Sequence, residues 1–90
     1  MSGFPSANFR LGRGQGTLLR LCIKGDAVSA ALYGTDRSSE IAVTVCRVGD
    51  VRRMEGALQL GQTAYTAGDG ALQAMCEWMA ALGASVAVTP

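Results

Sequence analysis

The chain reads as an α+β fold: a four-stranded antiparallel meander, built from two hairpins that each turn on Gly-Asp, covered on one face by one C-terminal amphipathic helix. Three observations predict it. TLLRLCIK and AVSAALY alternate apolar and non-apolar positions around Gly25-Asp26. EIAVTVCRV and VRRMEGALQL do the same around Gly49-Asp50. After Leu60 the apolar period changes from two to the helical value.

Residues 1–16 hold five glycines or prolines and few large apolar groups, Phe4, Phe9 and Leu11. They are expected to form a flexible Gly-rich arm with at most a short edge strand from Asn8 to Leu11, leaving residues 17–90 as a single α+β domain. The run GRGQG at 12–16 precedes a strand and lacks the Lys-Ser/Thr ending of a phosphate-binding loop, so it reads as a turn.

In the first hairpin, counting outwards from Gly25-Asp26 pairs Ile23 with Val28, Leu21 with Ala30 and Leu19 with Leu32, all on one face. In the second, counting from Gly49-Asp50 sets Val48 opposite Val51, Val45 opposite Met54, Val43 opposite Gly56 and Ile41 opposite Leu58. That register places Ile41, Val43 and Val45 in the core and turns Ala42, Thr44 and Cys46 outward. The linker GTDRSS is turn-forming chemistry and lets the two hairpins lie side by side.

Residues 71–82 place Trp78, Ala71, Leu82, Met75, Met79 and Leu72 on one arc of a helical wheel. Thr66 or Asp69 is expected to cap the helix and Gly83 to end it in the left-handed conformation. Gly56, the gap in its strand, is the expected seat of Trp78. SVAVT follows as an extended tail or a further terminal strand.

Composition narrows the function classes. Apolar residues are 49% and charged residues 17%, which favours a globular chain, and the net charge of +1 gives no general attraction to nucleic acid or membrane. Residues MSGFPSANFR have neither a charged n-region nor an apolar h-region, and no apolar run reaches bilayer length. A cytoplasmic location is therefore expected. Cys22, Cys46 and Cys76 are too far apart in sequence for a CxxC site, so free thiols, no metal and no cofactor are expected. The chain has no histidine, which removes the commonest general base, and no two acids share a face at short spacing. No enzymatic activity is expected.

Two features point to binding. Arg47, Arg52 and Arg53 gather around the second turn with Asp50 as the one offsetting acid, an arrangement suited to an acidic surface or a phosphate. The outward face of the meander, including Ala31, Tyr33, Ala42 and Thr44, is smooth and weakly charged, as expected of a covered surface. Its cover would be the arm through Phe4 and Phe9, a second copy, or another protein. The partner-binding residues expected are thus Arg47, Arg52, Arg53, Ala31, Tyr33, Ala42 and Thr44. A nucleic-acid partner, held by Arg10, Arg13, Arg20 and Lys24 with the tip arginines, is the less favoured alternative because aromatics do not interleave with these bases. A self-assembling structural component is another.

A small chain with an antiparallel sheet, one covering helix and no catalytic group resembles the accessory proteins of phages and mobile elements, among them the anti-CRISPR inhibitors. The resemblance is of size and style, and no functional residue carries over from it. It implies an inhibitor that occupies a site on a larger target.

Overall fold

A computed structural model describes residues 5–12, 18–34 and 40–88. The fold is α+β, with a four-stranded antiparallel sheet, a second small sheet and one helix. Sheet one runs in the order β1 (Ser6–Arg10), β2 (Leu18–Lys24), β3 (Ala27–Tyr33), β4 (Glu40–Arg47). A 3-10 turn, Val48–Asp50, leads into sheet two, whose order is β7 (Thr63–Thr66), β6 (Ala57–Leu60), β5 (Val51–Met54), β8 (Ala87–Val88). Helix α1 (Asp69–Ala81) lies between β7 and β8 in sequence.

The first hairpin has the expected register: Ile23 pairs with Val28, Leu21 with Ala30 and Leu19 with Leu32, and all six are buried. Gly25, at φ +60°, supplies the left-handed residue that its two-residue turn requires. Residues 6–10, expected to belong to the arm, pair with β2 as an edge strand, and Leu11 is fully buried. Phe4, Arg13, most of the 12–16 turn and linker residues 35–39 lie outside the described residues.

The second expected hairpin does not form. Gly49 has no positive φ, and Val48–Asp50 turns the chain out of sheet one instead of folding β4 back on itself. The hairpin forms six residues later. Met54 pairs with Ala57 across Glu55-Gly56, and Gly56 at φ +74° is the turn residue, with open space where a side chain would project. Trp78 therefore does not sit on Gly56. It packs edge-on against Phe9 of β1, ring centroids 5.9 Å apart.

Failure of that hairpin reverses the faces of β4. Leu32 pairs with Ala42, Ala30 with Thr44 and Val28 with Cys46, so the small residues of β4 share the inner face. Ile41, Val43 and Val45 point to solvent, at 56%, 54% and 67% exposure. The reason lies in the approach of sheet two. A side chain at Gly61 would meet the Cys46 Cβ at 3.5 Å, and the Thr44 hydroxyl hydrogen-bonds the buried Tyr65 hydroxyl. A valine in place of Thr44 would fill the same space and leave the Tyr65 hydroxyl without its partner, and a valine in place of Cys46 would set a branched side chain beside Gly61.

The interior is one cluster. Leu19, Leu21, Val28 and Ala30 of sheet one meet Val51, Leu58, Leu60 and Tyr65 of sheet two and Leu72, Met75 and Met79 of the helix. Helix α1 begins after Gly68, whose N–H donates to the Leu11 carbonyl at 3.1 Å, so neither Thr66 nor Asp69 is the cap. Its C-terminus closes as a Schellman motif: Ala84 N–H donates to the Met79 carbonyl (2.8 Å), Gly83 N–H to the Ala80 carbonyl (3.0 Å), and Gly83 has φ +85°. No helix among the described residues is long and apolar enough to cross a membrane.

Trp78 is only half-buried whereas Met75 is fully enclosed, which orders their contributions. Met75→Ala should cost about 2–5 kcal/mol, and Trp78→Ala about 2 kcal/mol, near half the usual loss for a fully buried tryptophan. Urea unfolding of the two variants checks the order. A larger loss for Trp78→Ala would mean that the Phe9–Trp78 pair carries more of the core than its burial indicates.

Candidate binding surface

Period-two geometry distributes the side chains of sheet one between two faces, and paired residues share a face. The outer face carries Asn8 and Arg10 from β1, Arg20, Cys22 and Lys24 from β2, and Ala27, Ser29, Ala31 and Tyr33 from β3. From β4 it carries Val43, Val45 and Arg47. At the start of β4 a bulge opposite Leu32 and Tyr33 skips Ile41 and pairs Glu40 with Tyr33, so Glu40 joins this face. A depression of about 310 Å³ there is lined by Arg20, Tyr33, Glu40 and Val43 among others.

The expected smooth face is therefore present in β3 and different in β4. Ala31 and Tyr33 lie on it, half-buried by their neighbours. Ala42 and Thr44 do not: both point to the inner side, Ala42 exposed there and Thr44 held by Tyr65. Phe9, expected as part of a cover, is inside against Trp78. In place of small residues, the outer side of β4 presents the aliphatic stripe of Ile41, Val43 and Val45, bounded by Glu40 at one end and Arg47 at the other. Residue counting missed this stripe because it rested on a hairpin that does not form.

The three arginines separate into two places. Arg47 and Arg52 both border an open depression of about 740 Å³ at the end of β4, with Val45, Cys46, Asp50 and Gln62 on its walls. Two backbone bonds shape it: Val48 N–H donates to the Asp26 carbonyl at 2.9 Å, and Gly61 N–H donates to the Asp50 carbonyl at 3.1 Å. Arg53, the next residue on β5, points to the opposite face of sheet two. There it borders a separate depression of about 420 Å³ with Gln73, Cys76, Glu77 and Val86. A single three-arginine cluster is not formed.

Two of the thiols sit where burial disfavours the thiolate. Burial pushes the Cys46 thiol up, the Asp50 carboxylate pushes it further, and a bond with the Gly61 backbone offsets part of the rise. Burial likewise raises Cys76, partly countered by Arg53. Both stay protonated at neutral pH, and the thiolate is the reactive form. Among the described residues no three Cys, Asp or Glu side chains gather to hold a metal ion. The arrangement offers surfaces, an apolar stripe and guanidinium groups, the kinds of group that can hold a partner.

No family model matches the chain, and no curated protein or solved structure does either.

The thiol environments give a pH prediction. A raised folded-state pKa favours the neutral thiol, so this contribution to stability is full below the ordinary thiol range of about 8.5 and is lost as pH rises through the higher folded value. Alkylation of Cys46 by iodoacetamide should accordingly be slow at neutral pH and keep accelerating above that range. Mass spectrometry of the labelled peptides measures it. A rate that levels off near neutrality would show a stabilised thiolate.

Proposed function

We propose that the chain is a non-enzymatic protein-binding module whose contact is the outer face of sheet one along the β4 edge. The observation that carries this reading is the stripe of Ile41, Val43 and Val45, each more than half exposed on an edge strand. An edge strand offers unpaired backbone donors and acceptors, and proteins usually guard such a strand with charge, proline or a bulge along its length. Here an aliphatic row stands beside the open edge. Adding a strand to such an edge takes affinity from the main chain and specificity from the side-chain row, the mode of β-augmentation. Arg47 and Arg52 at the end of the strand favour a partner that brings an acid to that corner. An inhibitor that occupies a site on a larger protein, in the manner of the small phage-encoded inhibitors, fits this mode of binding.

Val43→Asp puts an uncompensated charge at the centre of the stripe. It should leave the melting temperature within about 2 °C, since exposed substitutions have small effects. Retention of binding protein, whether a second copy or a different chain, should fall at least about tenfold on the immobilised variant. Leu82→Asp, exposed at the end of the helix on the other side of sheet one, is the control and should retain binding. Equal retention by both variants would remove β4 as the contact.

A second reading, a small nucleic-acid binder, is favoured by the placement of Arg10, Arg20, Lys24 and Arg47 on this same face. It requires affinity for random single-stranded DNA that falls steeply with salt, by a log–log slope of about −0.7 for each phosphate neutralised. A slope near zero in a fluorescence-anisotropy titration would exclude it.

A further inference from the structure

We infer that the occupant of the β4 edge is a second copy of this chain, paired antiparallel with it, strand edge to strand edge, about a two-fold axis. The inference rests on the reading of β4 as the contact strand and names its partner.

The two edges of sheet one are unlike. β1 is five residues long, follows Pro5 and carries Asn8 and Arg10 outward. β4 is eight residues long, contains no proline, glycine or lysine, and has its one irregularity at its start. The edge left open is the long regular one.

The outward pattern of β4 is complementary to itself when read backwards. In an antiparallel pair centred on Val43, each Val43 stands opposite its own copy and each Ile41 opposite the partner's Val45. Paired residues then share a face, as a continuous sheet requires. The six aliphatic side chains form one unbroken row. The same register brings Arg47 to within one residue of the partner's Glu40, at both ends, with all four side chains on the same face. Strand polarity, apolar row and charge thus agree on one register. A parallel pair would set Glu40 beside Glu40 and Arg47 beside Arg47.

Charge also decides against stacking two outer faces. Arg10, Arg20 and Lys24 stand on that face, and stacking would drive these bases against the bases of the second copy. Edge pairing leaves Arg20 and Lys24 two strands away, about 10 Å from the seam on each side. The product is a continuous sheet with four strands from each copy.

The seam is narrow, so the dimer should be of moderate affinity, in the micromolar range of about 1–100 µM. Sedimentation velocity over a rising concentration series should show wild-type chain passing from monomer to dimer. Glu40→Arg and Arg47→Glu each place like charges at both ends and should weaken the dimer about tenfold or more, with circular dichroism unchanged. Mixed in equal amounts, the two variants restore opposite charges at both ends and should form a heterodimer about as strong as the wild type. A monomeric wild type up to about 1 mM overturns the inference, as does a mixture no stronger than its components. If the wild type is monomeric while Val43→Asp still abolishes retention of a different protein, self-pairing falls and the binding role of β4 stands. If neither effect appears, both fall.

Discussion

Two backbone hydrogen bonds at one end of the molecule set the geometry on which the rest depends. Val48 N–H to the Asp26 carbonyl holds the exit of β4 against the first hairpin turn, and Gly61 N–H to the Asp50 carbonyl holds the entry of β5 against the turn between β6 and β7. Between them lies a single turn of 3-10 helix, too short for the chain to double back and long enough to pass it from one sheet to the other. Both bonds use main-chain atoms, so the corner depends on conformation more than on the side chains at these positions. Once it is closed, Gly61 of sheet two lies in contact with Cys46 of sheet one. Small inward residues on β4 suit that approach, and alternation then turns Ile41, Val43 and Val45 outward.

At the other end the helix supplies the cover that sheet two does not. Phe9 meets Trp78 at the β1 side, Leu11 gives its carbonyl to the start of the helix, and the Schellman closure returns the chain so that β8 can run parallel to β5. The interior between these supports is apolar, with no buried polar or charged residue among those described apart from the hydroxyl of Tyr65. That hydroxyl is met by Thr44. An unmatched phenol in this position would cost about 1–3 kcal/mol, and Thr44 is the β4 residue that removes the penalty.

The first hairpin was legible because one turn signal lay between two alternating runs, and both rows of apolar residues closed on it. The helix was legible because its period differs from that of its surroundings. In residues 40–60 two turn signals compete, Gly49-Asp50 and Glu55-Gly56, and each leaves acceptable alternation on either side. Period two reports that residues alternate between faces and does not report which face is inside. For β4 that answer comes from sheet two, whose short strands β6 and β7, four residues each, carry too little periodicity to announce a second sheet. Ala31 and Tyr33 were placed on the correct face because they belong to the legible hairpin. Ala42 and Thr44 were reversed with the rest of β4. The partnership of Arg47 with Arg52 came through the error, since a corner and a hairpin both bring the two sides of a turn together. Arg53 did not, because consecutive strand residues diverge.

The aliphatic stripe has a simple local explanation. Valine and isoleucine favour extended backbone, and a strand paired on one side only gains from that preference. Threonine has the same branching and would serve an exposed position with a smaller unfavourable apolar surface. In β4 the arrangement is inverted, with the threonine and cysteine inside and the valines and isoleucine outside. Strand preference alone accounts for branched residues here and does not account for apolar ones. Each exposed aliphatic forgoes roughly 1 kcal/mol of the transfer free energy that burial would return, taking about half of a full side chain. Three such positions in one row on an open edge, bounded by opposite charges, recover part of that free energy through cross-strand contacts when another strand lies beside them.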